Sequence, residues 1–303
     1  MHPELVKHLE YYRTQRNLNV PEWIESKVTK LNEYMTKHNL SACVIGCSGG
    51  IDSAVTLALC IEAKKRVNSP IKHVVPVLMP MNSETSETYS RALELCSFNG
   101  VTPMTDTIGL EAHRMRESSG ESFNKWLQTE SKTLVNYKVG DFAYGQLQSY
   151  IRTPHLYFTA QMLSENGFPA IVMGTGNKDE DGYLAYFCKA GDGVVDVQLI
   201  NDLHKSEVFN VARELPVPQS IIDAKPTADL WNGQTDEEEL GVSYDFVELF
   251  TGYYLKFGYF NNTEGPFLES LSDEARKEFE ECGYKCMHIN SRNQHKLNGI
   301  VNL

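Results

Sequence analysis

Residues 48–53, Ser-Gly-Gly-Ile-Asp-Ser, combine two glycines, two serines and an aspartate at a spacing that could bind phosphate groups. They follow a short apolar run at 43–45 and precede a helical pattern with Val55, Leu59 and Ala63 on one face. A glycine-rich turn between a strand and a helix brings backbone N–H donors and a positive dipole end close to an anion. Asp52 would repel a bare phosphate, so its position indicates a metal ion between the two.

Two better-known phosphate motifs do not fit this chain. The turn lacks the Gly-Lys-Ser/Thr ending of a Walker A loop. Gly174 and Gly176 begin a dinucleotide fingerprint, but Asp179 stands where its third glycine belongs. The remaining alternative is a Gly-Ser turn that merely links a strand to a helix.

The bulk composition limits the class of protein. A chain of 303 residues can build one sizeable core, or a core domain with appended elements. Its 28 Lys and Arg against 40 Asp and Glu give a net charge of −12, which argues against a nucleic-acid partner. An anionic substrate must therefore be met by basic groups placed locally.

Cysteine usage and the chain's first residues bear on its location. The seven cysteines form no C-x-x-C pair and are typical of free thiols in a reducing compartment. The N-terminal stretch has no apolar signal region, and no apolar run approaches the roughly 18 residues of a membrane span. We expect a soluble, cytoplasmic protein without a membrane partner.

Hydrophobic periodicity predicts an α/β fold, a parallel sheet wound with helices on both faces. Thr235 and Glu238 fit a capping box at a helix start. Residues 109–145 are polar and cannot be assigned to a helix or strand. After Phe250 the chain is predicted to be irregular apart from one helix. Strands are predicted at 43–45, 73–79, 170–174 and, more weakly, 101–108; helices are predicted twice within 1–40, after residue 53, and at 85–98, 155–165, 205–215 and 273–282. In such a sheet ligands bind at the carboxyl ends of the strands, where 48–53 and the polar loop after 174 both lie.

Four blocks follow one another along the chain: SGGIDS at 48–53, GTGNKDE at 174–180, KAGDGVVD at 189–196, and KPTADL at 225–230 followed by DEEELGVSYD at 236–245. In this order they resemble the NAD synthetase family, ammonia-using enzymes of the ATP pyrophosphatase class that convert deamido-NAD to NAD. The resemblance covers about 40–250 and a short match near the end. It implies an adenine nucleotide alpha hydrolase-like fold in a single domain, 1–303, with helical extensions at both ends and with 251–303 returning to the active site.

The resemblance also implies roles for individual residues. Asp52 and Glu180 would hold Mg²⁺, which is commonly bound by one or two carboxylates and phosphate oxygens. With Lys205 they form the expected catalytic set, and Lys205 opens a predicted helix, where a purely structural lysine would oppose the dipole. Glu180 could instead be a solvated loop acid. The expected ATP-binding residues are Gly46, Ser48, Gly49, Gly50, Asp52, Ser53, Thr175, Lys205 and Thr227.

The dinucleotide side of the site is less regular. The resemblance assigns substrate binding to Arg152, Lys189, Asp196, His295 and Lys296, although a His-Lys pair near a chain end is usually surface. Tyr186 and Phe187 could stack on a substrate ring or belong to the core. Where the family has A-R-x-R, this chain has Ser149-Tyr150-Ile151-Arg152, and a tyrosine cannot replace the cationic fork of the first arginine.

The sequence is therefore interpreted as an ammonia-dependent NAD synthetase that uses ATP and Mg²⁺. The acid of deamido-NAD would attack ATP, releasing pyrophosphate, and ammonia would convert the acyl-adenylate to NAD and AMP. The family implies a homodimer, and the first forty residues leave no room for its long glutaminase domain. Two alternatives stay open: another amidating or adenylating enzyme of the same loop class, and a non-catalytic nucleotide-binding paralogue.

Overall fold

The centre of the chain is a sheet of five parallel strands in the order β3-β2-β1-β4-β5. The computed structural model describes residues 1–81, 86–131, 139–227, 235–259 and 264–299. The strands are β1 Ala42–Gly46, β2 His73–Leu78, β3 Met104–Thr105, β4 Ala170–Gly174 and β5 Val197–Gln198. The three longer strands were predicted from their apolar runs. The weak strand at 101–108 shrinks to two residues, and β5 was not predicted.

Helices surround the sheet on both faces and extend the chain at both ends. They are α1 Pro3–Arg16, α2 Val20–Lys37, α3 Ile51–Lys65, α4 Glu87–Phe98, α5 Gly109–Ser131, α6 Asp141–Glu165, α7 Lys205–Glu214, α8 Gln219–Ile222, α9 Asp236–Leu240, α10 Tyr244–Glu248, α11 Glu264–Glu269 and α12 Asp273–Asn293. Two π-helical segments, Lys178–Tyr183 and Leu249–Tyr259, and a 3-10 turn, Gln294–Leu297, complete the described structure. No described helix has the length and apolar character needed to cross a membrane.

Alternate side chains of the central strand enter opposite hydrophobic clusters, as a two-sided sheet requires. Cys43 and Ile45 pack with buried residues of α2, α3, α4 and α7 on one face. Val44 packs on the other face with Val77, Val172 and, from α6, Ala160. The prediction of a doubly wound parallel sheet is confirmed.

A third cluster joins the two ends of the chain. Leu5, Leu9 and Tyr12 of α1 pack with Phe246, Phe279 and their aromatic neighbours from the segments after residue 240. Rings in this group lie 5.4 Å apart between Phe246 and Phe279. The C-terminal part therefore has a core of its own. The prediction that this part is irregular is wrong. The sequence shows only the spacing of apolar residues within each short helix, and not the packing of these helices against one another and against α1.

Several element boundaries differ from the prediction. The unassigned polar stretch contains α5, whose larger apolar side chains, Phe123 and Trp126 among them, are exposed, so it lacks the buried stripe that periodicity detects. Helix α6 begins at Asp141 rather than 155 and keeps Pro154 inside, although proline normally marks a boundary. Helix α12 continues eleven residues beyond 282, to Asn293. The capping box is wrong: Thr235 precedes α9 but makes no side-chain capping bond.

Candidate functional site

The phosphate-type turn lies between β1 and α3, at the carboxyl end of the central strand. Its Gly49 has φ +82°, and a Cβ there would lie 2.1 Å from the carbonyl oxygen of Thr88, so the position requires glycine. The Ser48 Oγ accepts the N–H of Gly50 at 3.2 Å, and the Ser53 hydroxyl donates to the Gly50 carbonyl at 3.0 Å. These bonds fix the turn so that the start of α3 opens toward the cleft.

A second turn, Lys178–Tyr183, follows the neighbouring strand β4 at the same edge. Asn177 connects the two turns: its Oδ1 accepts the N–H groups of Asp179 and Glu180, and its Nδ2 donates to Asp52 Oδ1 at 3.0 Å. Gly176 is needed for close approach, because a Cβ there would lie 1.6 Å from Asp181 Oδ2. The two loops therefore form one connected surface.

Lys205, the first residue of α7, lies between the carboxylates of these two turns. Its Nζ is 2.7 Å from Asp52 Oδ2 and 2.8 Å from Glu180 Oε1. Burial alone would lower the pKa of Lys205, but the two carboxylates outweigh it and raise the pKa well above its ordinary value. Lys205 is consequently an ammonium ion shared by two acids.

The two carboxylates differ in their surroundings. Burial raises the pKa of Asp52, although Lys205 opposes it. Burial would also raise the pKa of Glu180, yet Lys205 and the hydroxyl of Tyr244 outweigh it and hold that pKa below its ordinary value. Tyr244 donates to Glu180 Oε1 at 2.6 Å and lies 3.1 Å from Asp236 Oδ2. Glu180 is therefore the more firmly held anion.

A cleft of about 580 Å³ opens above the Lys205 ion pair. It brings together every residue expected to bind ATP or metal, and one expected to bind the second substrate. These are Gly46, Ser48, Gly49, Gly50, Asp52, Ser53, Arg152, Thr175, Glu180, Lys205 and Thr227. The blocks that are far apart in sequence thus line one cleft. Their roles toward ligands stay predictions.

The other expected substrate residues lie outside this lining. Lys189 donates to the carbonyls of Lys296 and Asn298 at 2.6 and 2.5 Å, and Lys296 donates to the carbonyl of Phe187 at 2.8 Å. His295 is exposed on the same 3-10 turn. The two lysines hold the 3-10 turn and Asn298 against the segment 187–189, which borders the cleft.

Asp196 has contacts that tie the sheet to α6. Its Oδ2 accepts the N–H of Val172 at 2.8 Å and its Oδ1 accepts the hydroxyl of Tyr157 at 3.3 Å. Tyr150, at the position of the missing arginine, is 39% exposed and donates to Gln146 Oε1. Tyr186 and Phe187 both line the cleft, and Tyr186 also packs against the hydrophobic cluster of the C-terminal part. Stacking of either ring on a substrate stays a prediction.

Sequence reasoning assigned no role to several charged residues that line the cleft, among them Arg91, Asp181 and Asp236. Arg91 of α4 lies with its Nε 3.3 Å from the Gly49 carbonyl, next to the phosphate-type turn. Asp181 lines the cleft beside Glu180, and burial, with Asp192 and Glu180 nearby, raises the pKa of Asp181 to about 8. Asp236 belongs to a matched block but had no assigned role. Arg91 carried no sequence signal because it lies outside the matched blocks.

Sequence comparisons agree with the four blocks. The profile of the NAD synthase family matches residues 23–298. The NH(3)-dependent NAD(+) synthetase of Thermoplasma acidophilum is 33% identical over 264 residues, which are 85% of this chain and 97% of that protein. The enzyme of the same description from Mesoplasma florum is 32% identical over 285 residues, 94% of this chain and 97% of its own length.

Solved structures share the fold. The NMN synthetase of Francisella tularensis superposes with a TM-score of 0.67 at 26% identity, covering 95% of this chain and 99% of that one. The NH3-dependent NAD synthetase of Campylobacter jejuni, crystallised with nitrate, gives a TM-score of 0.65 at 21% identity and covers 94% and 100%. One family profile matches nine-tenths of the sequence, and blocks of that family line the cleft. This chain therefore belongs to the NAD synthase family.

Proposed function

We infer that this chain is an ammonia-dependent NAD synthetase, a carbon–nitrogen ligase that uses ATP to amidate deamido-NAD. The observation that carries the inference is the shared ammonium of Lys205 between Asp52 and Glu180, beside a glycine turn at a helix N-terminus. This combination offers one cation and several N–H donors to a polyphosphate, together with two acids for a metal ion.

The cleft's residues account for the first half-reaction. The turn at 48–53 and the start of α3 receive the phosphates, where their N–H groups stabilise charge on the departing pyrophosphate. Lys205, freed from the carboxylates, turns its ammonium toward the same oxygens. The carboxylate of the substrate then attacks the α-phosphorus of ATP, giving an acyl-adenylate and pyrophosphate. Ammonia displaces AMP from that intermediate.

Mg²⁺ is part of the proposal, with Asp52 and Glu180 as its protein ligands. The fit rests on the ion pair, because two carboxylate oxygens already face one cationic nitrogen at 2.7 and 2.8 Å. Among the described residues no group of three or more His, Cys, Asp or Glu side chains could hold a metal by itself. A two-carboxylate site suits Mg²⁺, which would supply neutralisation of phosphate charge there.

Incubation of the purified chain with ATP, Mg²⁺, ammonium and deamido-NAD tests the function. We expect equal amounts of AMP, pyrophosphate and NAD, with turnover rising between pH 7 and 9 because only neutral NH₃ is nucleophilic. Glutamine should not replace ammonium. Formation of AMP without NAD would favour the adenylating alternative, and MgATP binding without any turnover would favour the non-catalytic one.

A second candidate substrate is the mononucleotide acid, the reaction that the name of the Francisella tularensis protein describes. The observation that favours it is the occupation of Lys189 and Lys296, whose ammonium groups are bonded to backbone carbonyls rather than directed into the cleft. Tyr150 removes a further cation from the dinucleotide side. Parallel assays with both acids, compared by kcat/KM, decide between them.

We also propose a homodimer, a single domain over 1–303 and a cytoplasmic location. Helix α5 exposes a stacked aromatic pair, Phe123 and Trp126, with ring centroids 5.8 Å apart, and such a surface is typical of a protein interface. All seven cysteines are free, as a reducing compartment favours. Light scattering after size exclusion tests the dimer, which Trp126→Glu should weaken.

A further inference from the structure

A buried chain of hydrogen bonds connects the N-terminal helix to the Lys205 ion pair. The hydroxyl of Tyr12 lies 2.9 Å from His204 Nε2, and His204 Nδ1 lies 2.6 Å from Asp179 Oδ1. The other oxygen of Asp179 accepts the backbone N–H of Lys205 at 2.8 Å. Asp179 and His204 are fully buried, and each directly precedes one member of the ion pair, Glu180 or Lys205.

The direction of these hydrogen bonds follows from the donors around the imidazole. Lys178 Nζ lies 3.0 Å from His204 Nε2, and an ammonium group can only donate. Burial raises the pKa of Tyr12 to about 12, so its hydroxyl keeps its proton and can donate as well. With two donors on Nε2, that nitrogen is the acceptor. The proton therefore sits on Nδ1 and is donated to Asp179.

We propose that Tyr12, His204 and Asp179 form a positioning relay, which holds the backbones of Lys205 and Glu180 in the positions that MgATP binding requires. This inference rests on the proposed function and deepens it. Lys205 must exchange carboxylate partners for phosphate oxygens, and that exchange needs a fixed backbone from which only the side chain moves. No residue of α1 lines the cleft, yet α1 supplies one end of the relay.

Helix α1 is also attached by contacts that do not touch His204's ring. Arg13 forms ion pairs of 2.6 Å with Asp245 and with Glu248. Docking of the helix and operation of the relay can therefore be separated by mutation.

The central experiment is Tyr12→Phe, which removes one hydroxyl and keeps the buried ring. We expect a 10- to 100-fold loss of MgATP affinity, of the size seen when a partner of a metal-ligand side chain is lost. Calorimetric titration of MgATP measures the affinity directly. In steady-state assays kcat and the KM for ATP should change, whereas the KM for deamido-NAD should not.

Two variants on the same helix serve as controls. Tyr11→Phe removes a hydroxyl from an exposed ring and should match the wild type. Arg13→Gln weakens the attachment of α1 and should lower the melting temperature while leaving MgATP affinity unchanged. If Arg13→Gln reduces that affinity as much as Tyr12→Phe, general docking of α1 explains the effect and the relay is refuted.

A rescue pair tests the middle of the relay. His204→Ala loses all three side-chain contacts, with Tyr12, Lys178 and Asp179. His204→Asn keeps an amide donor where Nδ1 lies, and it should recover part of the MgATP affinity. Wild-type affinity in Tyr12→Phe and His204→Ala would overturn the relay whatever the reaction. Absence of NAD formation by a wild-type protein that binds MgATP would instead overturn the proposed function, while the affinity comparison would still decide on the relay.

Discussion

Two carboxylates from different turns face the ammonium of Lys205, and this makes it the central charge of the site. Asp52 and Glu180 could be predicted from their blocks, because motif spacing specifies residue types at a sheet edge, and Lys205, which lies outside the blocks, from its match to a family position. Their mutual contact could not, since it depends on Asn177 and on the turn at 178–183 that joins the two loops. Arg91 was missed because a cation within a helix pattern looks like an ordinary solvated side chain.

The first prediction concerns the two acids. Asp52→Asn or Glu180→Gln should lower kcat/KM about 10²–10³-fold, the usual cost of losing one electrostatic contact to a transition state. Glu214→Gln, at the exposed end of α7, is the control for charge alone. Steady-state assays at saturating Mg²⁺ check the outcome, and near-normal turnover in either variant would refute the assignment.

The second prediction concerns Asp181, whose pKa burial raises from 3.8 to about 8. Between about pH 4 and 8 the folded protein keeps a proton that the unfolded chain has released, so this group lowers the free energy of unfolding as pH rises through that window. Asp181→Asn cannot ionise and escapes this loss. Its melting temperature relative to wild type, in metal-free buffer, should therefore increase from pH 5 to pH 9.

Asp223→Asn, at the exposed end of α8, is the control for this series and should show no such trend. A melting-temperature difference for Asp181→Asn that stays constant over the whole pH range would contradict the raised pKa.

Among the elements, the longer strands and the helices with one buried face were predictable, because period and length are local properties. Helix α5 was not, because most of its apolar side chains are exposed and leave no stripe for periodicity to detect. Helix α6 was predicted only from residue 155, whereas it begins at Asp141 and contains Pro154, a residue that normally interrupts a helix. The contacts of α1 with the C-terminal helices join opposite ends of the chain and have no local signature.

The third prediction concerns the turn between β1 and α3. Gly49→Ala must adopt φ near +82° and also push a methyl group against the Thr88 carbonyl of α4, 2.1 Å away. The backbone alone costs roughly 1–2 kcal/mol, and the displaced turn should weaken ATP binding. Gly100→Ala is a matched control, with φ +65° and no atom within 4 Å of the new methyl.

Denaturant unfolding should therefore give similar backbone costs for both glycine variants and an additional loss for Gly49→Ala. Only Gly49→Ala should reduce ATP affinity. Equal affinity losses in the two variants would mean that the close approach of the turn to α4 is unimportant.

At the scale of the molecule, a chain of net charge −12 has to bind anionic substrates, so local cations must overcome an unfavourable overall field. The structure uses two of them, Lys189 and Lys296, to fasten the last described turn beside the cleft. A fastened tail can exclude water from a reacting carboxylate and can exchange its carbonyl contacts for substrate phosphates when a ligand arrives.

The last prediction follows from this arrangement. Lys296→Ala should raise the KM for deamido-NAD about tenfold, equivalent to about 1.4 kcal/mol, and leave the KM for ATP unchanged. The melting temperature should hardly change, because α12 is anchored separately through Ala275, Phe279 and Cys286. Lys285→Ala, which removes a similar lysine–carbonyl bond of 2.8 Å to Gly241, is the control and should affect neither KM. A large fall in melting temperature would show that the tail has a structural packing role. Unchanged KM values would show that Lys296 does not contribute to substrate binding.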